Sequence, residues 1–393
     1  MTPEEPAAAL DVERAVRERY AHGAVRREES LCCPISYDPK HLEAIPPEVI
    51  ERDYGCGDPS RHVREGDTVL DLGSGGGKIC FIASQIAGPS GRVIGVDFNE
   101  EMLALARRSA PQVAGRTGFA NVTFRRGRIQ DLRLDLDMLD AWLERHPVRT
   151  ASDLSAMEEA TEGLRREHTM IPDASVDIVV SNCVLNLVRE ADRSRLIREV
   201  FRVLKPGGRV AISDIVSDEA VPEDLKADPE LWSGCVSGAF VEQDLLREME
   251  EAGFYAIAID AWGAEPFRVV RGIEFRSVTI TARKGKEGAC FEANQAIIYR
   301  GPWKQVEDDD HHVLRRGVRS AVCAKTFRIL TTEPYAHDIV PVPPLEAIPE
   351  SQQEPYDCSR TATRHPRETK GLDYSVTGAG NDAGACCPPG TSC

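Results

Sequence analysis

Short strand-like runs alternate with amphipathic stretches along the middle of the chain. The alternation predicts seven strands. The fourth lies within SVDIVVSNCVLNL (175–187), and the others read DTVLDLG (67–73), VIGVDF (93–98), NVTFRRG (121–127), RVAISDIV (209–216), YAIAIDAW (255–262) and FRSVTITAR (275–283). Between them, apolar residues recur at helical spacing in EEMLALARRSA, in RSRLIREVFRVL (193–204) and near 241–252. Strands that are nearly continuous in apolar residues and alternate with helices predict an α/β protein. Its sheet is expected to be mostly parallel and covered by helices on both faces.

The pattern changes on either side of this region and once inside it. Residues 1–60 predict a polar, helical lead-in that forms a cap, and residues 133–170 predict a charged helical insertion between the third and fourth strands. The main domain therefore covers residues 61–285. Residues 286–340 predict a small β-containing unit with a turn at EDDDHH, and residues 341–393 predict a Pro-rich, then polar and Cys-containing flexible tail.

Charge and composition exclude several kinds of protein. The net charge of −16 disfavours nucleic acid as a partner, and no apolar run approaches the about 20 residues that a membrane span needs. The N-terminal residues lack the basic and apolar regions of a secretory signal, so we expect a cytoplasmic protein. The chain has 12 cysteines. In that reducing setting, those that do not simply pack are expected to be catalytic or to bind a metal.

A glycine-rich loop follows the first predicted strand. Asp71 ends the strand, G-S-G-G-G begins at Gly73, and Asp97 ends the second strand. Glycines let the backbone approach a ligand, a carboxylate at Asp97 can bind both ribose hydroxyls of a nucleoside, and Asp71 favours a cationic amino group over a pyrophosphate. This pattern resembles the S-adenosylmethionine (SAM) site of Rossmann-like methyltransferases. The predicted SAM-binding residues are Asp71, Gly73, Ser74, Gly75, Asp97, Phe98, Arg128, Ile129 and Asn182.

The cysteines point to the methyl acceptor. Cys183 follows the fourth strand and Cys235 comes after the fifth, and ligands of open α/β sheets bind beyond these carboxyl ends. The predicted cap carries Cys32, Cys33 and Cys56, and it could close over the same place. A buried cysteine usually just packs, and that is the expected role of Cys80, Cys290 and Cys323.

The segments YGCG, LDLGSG, VIGVD, SNCVLNL and GCVSGAF together resemble the arsenite SAM methyltransferases, in particular a bacterial branch. The resemblance extends from about residue 20 to 285 and implies a class I methyltransferase fold. It also implies that Cys183 and Cys235 bind arsenic(III) together with Cys56. Either Cys32 or Cys33 would pair with Cys56 in a disulfide that reduces the product. Thioredoxin or glutathione would then restore the thiols.

The chemistry of arsenic fits such a set of thiols. Soft thiolates select soft centres, and three of them would hold arsenic(III) as a pyramid whose lone pair can attack the SAM methyl group. Two other functions remain open at this point. The first is methylation of an organic small molecule, for which the cysteines would only pack. The second is a non-catalytic protein that binds soft metals on a methyltransferase scaffold, and SAM turnover would separate it from an enzyme.

Overall fold

The computed structural model describes residues 11–26, 28, 35–358 and 362–371. The chain divides into two compact units, residues 1–285 and 286–393, which are described separately. The predicted site residues Cys32 and Cys33 lie outside the described residues, and so do residues 372–393 of the predicted tail. Within the described ranges, no helix is both long enough and apolar enough to cross a membrane.

A central sheet dominates the first unit. Its strands are β1 (Thr68–Leu72), β2 (Arg92–Asp97), β3 (Val122–Arg126), β4 (Val176–Asn182), β5 (Leu204–Ser217), β6 (Phe240–Val241), β7 (Tyr255–Trp262), β8 (Arg268–Val270) and β9 (Ile273–Arg283). The order is β3-β2-β1-β4-β5-β9-β7, with β6 paired to β5 and β8 paired to β9. The strands from β3 to β5 run parallel, whereas β9 and β7 are antiparallel to their neighbours. The predicted mostly parallel sheet of seven strands is confirmed, and β6 and β8 are short additions.

Helices connect these strands. They are α1 (Val12–Val25), α2 (Pro39–Leu42), α3 (Pro47–Glu51), α4 (Lys78–Ala87), α5 (Glu100–Thr117), α6 (Leu136–Leu143), α7 (Ala151–Glu167), α8 (Glu190–Val203), α9 (Glu223–Lys226), α10 (Pro229–Ser233) and α11 (Glu242–Glu251). Asn99 caps α5, because its side chain accepts a hydrogen bond from the Met102 N–H at 3.0 Å. Helices α6 and α7 form the segment between β3 and β4 for which the sequence predicted a helical insertion.

The fifth strand begins earlier than its local sequence suggests. Lys205-Pro-Gly-Gly was expected to be a turn before a strand at 209, but β5 already begins at Leu204. The Gly207 N–H donates to the Lys284 carbonyl at 2.8 Å, and the Lys284 N–H donates to the Gly208 carbonyl at 2.9 Å. These hydrogen bonds draw the Pro-Gly-Gly segment into the sheet, whose register shifts between Val176 and Ile178 on β4.

The described residues of the second unit form short strands and two α-helices. They are β10 (Phe291–Glu292), β11 (Ala296–Tyr299), β12 (Gln305–Glu307), β13 (Val313–Arg315), β14 (Arg319–Ala321), α12 (Ala324–Leu330), β15 (Ile339–Val342), β16 (Glu354–Pro355), β17 (Ala362–Thr363) and α13 (Pro366–Lys370). Strands β15, β11, β14 and β17 form an antiparallel sheet, while β10 pairs with β16 and β12 with β13.

Ordered structure continues past residue 340, where the sequence predicted a flexible tail to begin at 341. Strand β15 crosses that position and pairs with β11 along four residues. The buried Arg364 guanidinium binds Glu292 at 2.7 Å and Glu368 at 2.8 Å, and so attaches the later chain to the unit. The Pro-rich composition of this segment gave no indication of these long-range contacts.

Candidate active site

The loop after β1 is built from glycines that tolerate no side chain. Gly73 and Gly77 have φ of 66° and 91°, in the left-handed region that L-residues avoid. A Cβ on Gly73 would overlap the Val184 side chain. The N–H of Gly75 donates to the Asp97 carboxylate at 2.8 Å, which ties the loop to the end of β2. The loop therefore presents bare backbone at the carboxyl end of β1.

A cavity opens beside this loop, where the strand order reverses between β1 and β4. It encloses about 1060 Å³ of empty space, part of which is open to solvent. All nine predicted SAM-binding residues line it: Asp71, Gly73, Ser74, Gly75, Asp97, Phe98, Arg128, Ile129 and Asn182. Cys183 lines the same cavity. The predicted nucleoside site and one predicted arsenic ligand thus share a single space, as expected at a topological switch point.

Two buried carboxyl groups set the electrostatics of this cavity. Burial raises the pKa of Asp71 to about 7, although the Cys80 thiol donates a hydrogen bond to it at 3.1 Å. Burial also raises the pKa of Asp97, against the N–H groups of Asn99 and Gly75 that donate to its two oxygens. A nearby cation favours the charged form of such a carboxyl group. Both residues are therefore poised to bind a positively charged or hydroxyl-bearing ligand.

The Y-G-C-G segment is fastened to the end of β4 by Asn182. The Asn182 Oδ1 accepts hydrogen bonds from the N–H groups of Cys56 at 2.8 Å and Gly57 at 3.2 Å, and its Nδ2 donates to the Gly57 carbonyl at 2.8 Å. A Cβ on Gly55 would overlap the Asn182 side chain, and one on Gly57 would overlap Ser213. The glycines on either side of Cys56 are needed for this close approach. Asn182 therefore lines the cavity and also positions Cys56.

Three of the predicted cysteines meet at this edge of the sheet. The Sγ atoms of Cys56 and Cys183 lie within 4.8 Å of each other and of a carboxylate oxygen of Asp214. The Cys235 thiol donates to the Cys183 carbonyl at 3.1 Å. All three cysteines are free thiols and are buried. The fourth predicted partner, Cys32 or Cys33, belongs to the part of the chain that is not described.

The backbone is unusual at two of these thiols. Cys183 has φ of 60° and Cys235 has φ of 58°, values that non-glycine residues rarely adopt. Cys183 follows β4 directly, and Cys235 follows α10. Such strained residues persist only where the surrounding structure enforces them, and they cluster at functional sites. The backbone strain at these two cysteines is in keeping with the functional role predicted for them from the sequence.

The surroundings of Cys183 and Cys235 raise the pKa of both thiols. The hydrogen bond to Cys235 favours the Cys183 thiolate, but the Cys56 thiol and burial outweigh it and raise the pKa of Cys183. The hydrogen bond to Cys183 and burial raise the pKa of Cys235. A soft electrophile that replaces the thiol protons would relieve the cost of burying thiolates.

Sequence reasoning missed two residues that contact this group. The Tyr20 hydroxyl of α1 is hydrogen bonded to the Cys235 sulfur. Asp214, whose pKa burial raises to about 6, accepts hydrogen bonds from the N–H groups of Val184 at 3.1 Å and Leu185 at 2.8 Å. Asp214 therefore supports the turn that carries Cys183. Neither residue follows a local motif, since each reaches the site from a distant part of the chain.

Helix α1 also contributes to the cavity wall. Glu13 lines it and forms an ion pair with Arg128 at 3.1 Å. Arg128 was predicted to bind SAM, and the structure places it on the cavity wall in contact with α1. The helical lead-in is thus part of the site.

Comparison with known proteins identifies the relatives of this chain. A family model described as a methyltransferase domain matches residues 64–253, and a domain of unknown function matches residues 286–374. The arsenite methyltransferase of Aquipseudomonas alcaligenes is 35% identical over 326 residues, which cover 78% of this chain and 83% of that protein. The chain belongs to the arsenite methyltransferase family.

Further arsenite methyltransferases agree with this assignment. The Mus musculus arsenite methyltransferase is 30% identical over 329 residues, covering 81% of this chain and 78% of that protein. The solved structure of CrArsM, an arsenic(III) S-adenosylmethionine methyltransferase from Chlamydomonas reinhardtii, has a TM-score of 0.53 and 25% identity, and the match covers 85% of this chain and 100% of CrArsM. The predicted family and methyltransferase fold are confirmed.

Proposed function

We propose that this arsenite methyltransferase family member transfers the methyl group of SAM to arsenic(III) held by Cys56, Cys183 and Cys235. The observation that carries the proposal is that three buried thiols meet at the carboxyl end of β4, where one of them, Cys183, lines the same cavity as the predicted SAM-binding residues. Methylation of an organic molecule would need a polarising group or a base, and it would leave the strain at Cys183 and Cys235 without a purpose.

The cavity suits SAM on four grounds. The glycine loop leaves room for backbone contact, and the Asp97 carboxylate can accept from ribose hydroxyls. Asp71 can bind a cationic amino group once it is ionised. The Ser74 hydroxyl lines the cavity, and among the described residues it is buried without a hydrogen-bond partner. A ligand in the cavity would satisfy it.

Arsenite binding requires no base from the protein. As(OH)₃ exchanges three hydroxides for three cysteine sulfurs, and the three thiol protons leave with those hydroxides as water. The raised thiol pKa values at Cys183 and Cys235 therefore do not prevent binding. The product is a pyramidal trithiolate whose arsenic keeps its lone pair.

The protein contributes orientation to the transfer step. SAM, when bound, supplies the methyl group on a sulfonium centre. Cys183 holds arsenic at the end of β4, next to the loop that would hold the nucleoside, so the two reactants share one cavity. Holding both reactants in one cavity makes the methyl transfer an effectively unimolecular step.

Transfer leaves arsenic formally oxidised by two electrons. We propose that Cys56 and either Cys32 or Cys33 return these electrons by forming a disulfide, which releases a trivalent methylated product. Thioredoxin or glutathione would then reduce the disulfide by thiol exchange. Because this step uses thioredoxin or glutathione as the reductant, it requires a reducing compartment such as the predicted cytoplasm.

The test is methyl transfer from methyl-labelled SAM to arsenite in the presence of glutathione and thioredoxin. Labelled methylated arsenic is expected with the unmodified chain. Cys183→Ser should abolish it while SAM binding stays intact, and Cys393→Ser, to which the proposal gives no role, serves as the matched control. Full activity of Cys183→Ser would refute the trithiolate. Arsenite binding without any methyl transfer would support a binding protein instead.

A further inference from the structure

A second group of three thiols lies in the C-terminal unit. The Sγ atoms of Cys290, Cys323 and Cys358 all lie within 4.8 Å of one another. These residues are more than 30 positions apart along the chain, and all three are free cysteines. We call them the C-terminal trithiol. Packing was the expected role of Cys290 and Cys323, and Cys358 follows no motif.

Three elements of this unit bring the thiols together. Cys290 immediately precedes β10 and Cys358 lies shortly after β16, and these two strands pair with Phe291 opposite Pro355. The Tyr356 N–H donates to the Cys290 carbonyl at 2.9 Å, which extends the pairing to the edge of the group. The antiparallel pair therefore sets Cys290 beside Cys358.

Helix α12 supplies the third thiol. The Cys323 sulfur caps the helix by accepting from the Thr326 N–H at 3.3 Å, and it lies 3.2 Å from the Thr326 hydroxyl. Lys325 donates to the Gly288 carbonyl at 3.1 Å, which holds the start of the helix near the segment before Cys290. The backbone thus fixes all three cysteine positions.

The three sulfurs share their protons unequally. Burial acts to raise the pKa of Cys323, but hydrogen bonds from Thr326, Cys358 and Cys290 outweigh it and lower that pKa. Burial and hydrogen bonds to the other two thiols raise the pKa of Cys358. The group therefore contains one sulfur that accepts hydrogen bonds beside thiols that donate them. A soft cation or electrophile can replace those protons.

The arrangement is also accessible. Cys323 is fully buried, whereas Cys290 and Cys358 are half-buried, so a small solute can reach the group from their side. A purely structural packing role would not need two of the thiols to remain in contact with solvent.

We propose that the C-terminal trithiol is a second binding site for trivalent arsenic, separate from the three thiols of the first unit. As(OH)₃ would exchange its three hydroxides for the sulfurs of Cys290, Cys323 and Cys358 and release three waters, with no change in oxidation state. The described part of the unit offers three soft donors and no fourth, which matches the pyramidal coordination of arsenic(III).

Zinc is the main competing occupant, and the donor set disfavours it. Structural zinc sites have four protein ligands, and within the described residues no histidine nitrogen or carboxylate oxygen joins the three sulfurs. His312 interacts electrostatically with Cys323, but its Nδ1 binds Asp308 at 2.9 Å. His312 does not complete the group.

The test counts bound arsenic on the full chain. The protein is reduced, incubated with sodium arsenite, desalted and analysed for arsenic and zinc per chain. The paired variant Cys290→Ser with Cys358→Ser removes the two half-buried thiols, so its fold should persist. It is expected to carry one arsenic fewer than the unmodified chain. Cys80→Ser, which keeps a hydroxyl donor for Asp71, is the matched control and should carry the same number as the unmodified chain.

The proposal does not depend on the proposed methylation. Cys183→Ser should lose methyl transfer yet keep the arsenic bound at the C-terminal trithiol, and X-ray absorption at arsenic should show three sulfur neighbours there. An unchanged arsenic count in the paired variant would overturn the proposal. So would one zinc per chain that arsenite cannot displace and that disappears in the paired variant.

Discussion

Removal of the Asn182 side chain tests whether the link between β4 and the Y-G-C-G segment positions an arsenic ligand. Asn182→Ala deletes hydrogen bonds to the N–H groups of Cys56 and Gly57, to the Gly57 carbonyl and to the Tyr37 hydroxyl at 3.2 Å. Cys56 would then lose the contact that fixes its backbone. Arsenite affinity should fall, while the glycine loop that would hold SAM stays in place.

The stability cost follows from the four hydrogen bonds. Each contributes about 0.5–1.5 kcal/mol net, so their sum is about 2–6 kcal/mol. Because water can reach part of this partly buried segment and replace some of the lost partners, we expect about 2–4 kcal/mol in the free energy of unfolding. Urea denaturation followed by tryptophan fluorescence measures this loss, since Trp142, Trp232 and Trp262 belong to the first unit.

A second asparagine provides the matched control. Asn121 donates to the carbonyls of Gly88 at 2.8 Å and Ser84 at 3.3 Å and accepts from the Ser84 hydroxyl at 2.5 Å, and it does not line the cavity. Asn121→Ala should cost similar stability but leave arsenite affinity unchanged. Both variants are titrated with arsenite and with SAM. If Asn182→Ala binds arsenite as tightly as Asn121→Ala does, the positioning role of Asn182 is refuted.

Three further predictions concern the same cavity. Asp97→Ala should weaken SAM binding in calorimetry by more than tenfold and leave arsenite binding intact; equal SAM affinity would contradict its ribose role. Burial raises the pKa of Asp71 in the folded protein to about 7, well above the usual value of an aspartate, so its contribution to the stability of the free protein is present at low pH and lost as the pH rises through 7. SAM binding needs the ionised Asp71 carboxylate. The dissociation constant of SAM should therefore rise about tenfold for each unit by which the pH falls well below 7, and Asp71→Asn should remove this pH dependence. Gly55→Ala should abolish methyl transfer because its Cβ overlaps Asn182, whereas Gly115→Ala, with open space around its Cβ, should not; retained activity of Gly55→Ala would count against the close approach.

The parallel core could be predicted because its signal is local. Strands such as β1 and β2 carry continuous apolar residues, and helices with clear caps follow them. The glycine loop and both carboxyl groups lie in or directly after these strands, so the sequence could place them together at one edge of the sheet, where they line the cavity. The start of β5 could not be predicted from the sequence, because Pro206 and its neighbouring glycines locally favour a turn. Only hydrogen bonds to β9, about 80 positions later, draw them into the sheet.

The sequence did not reveal site residues that come together from distant parts of the chain. Tyr20 reaches Cys235 from a helix near the N-terminus, and Asp214 reaches the turn after Cys183 from the neighbouring strand. Neither has a spacing that a single sequence could reveal. The C-terminal trithiol was missed for the same reason, because its cysteines lie on two paired strands and one helix cap. Only the strand pairing and the helix cap together define it.

The left-handed backbone at Cys183 and Cys235 has a consequence for how this protein responds to selection. Such conformations cost of order 1–3 kcal/mol each for a residue with a Cβ, and glycine adopts them freely. Glycine at either position would relieve this strain while removing a thiol. If these thiols bind arsenic as proposed, selection for stability alone would not maintain them, and we expect them to persist only under continued exposure to the element.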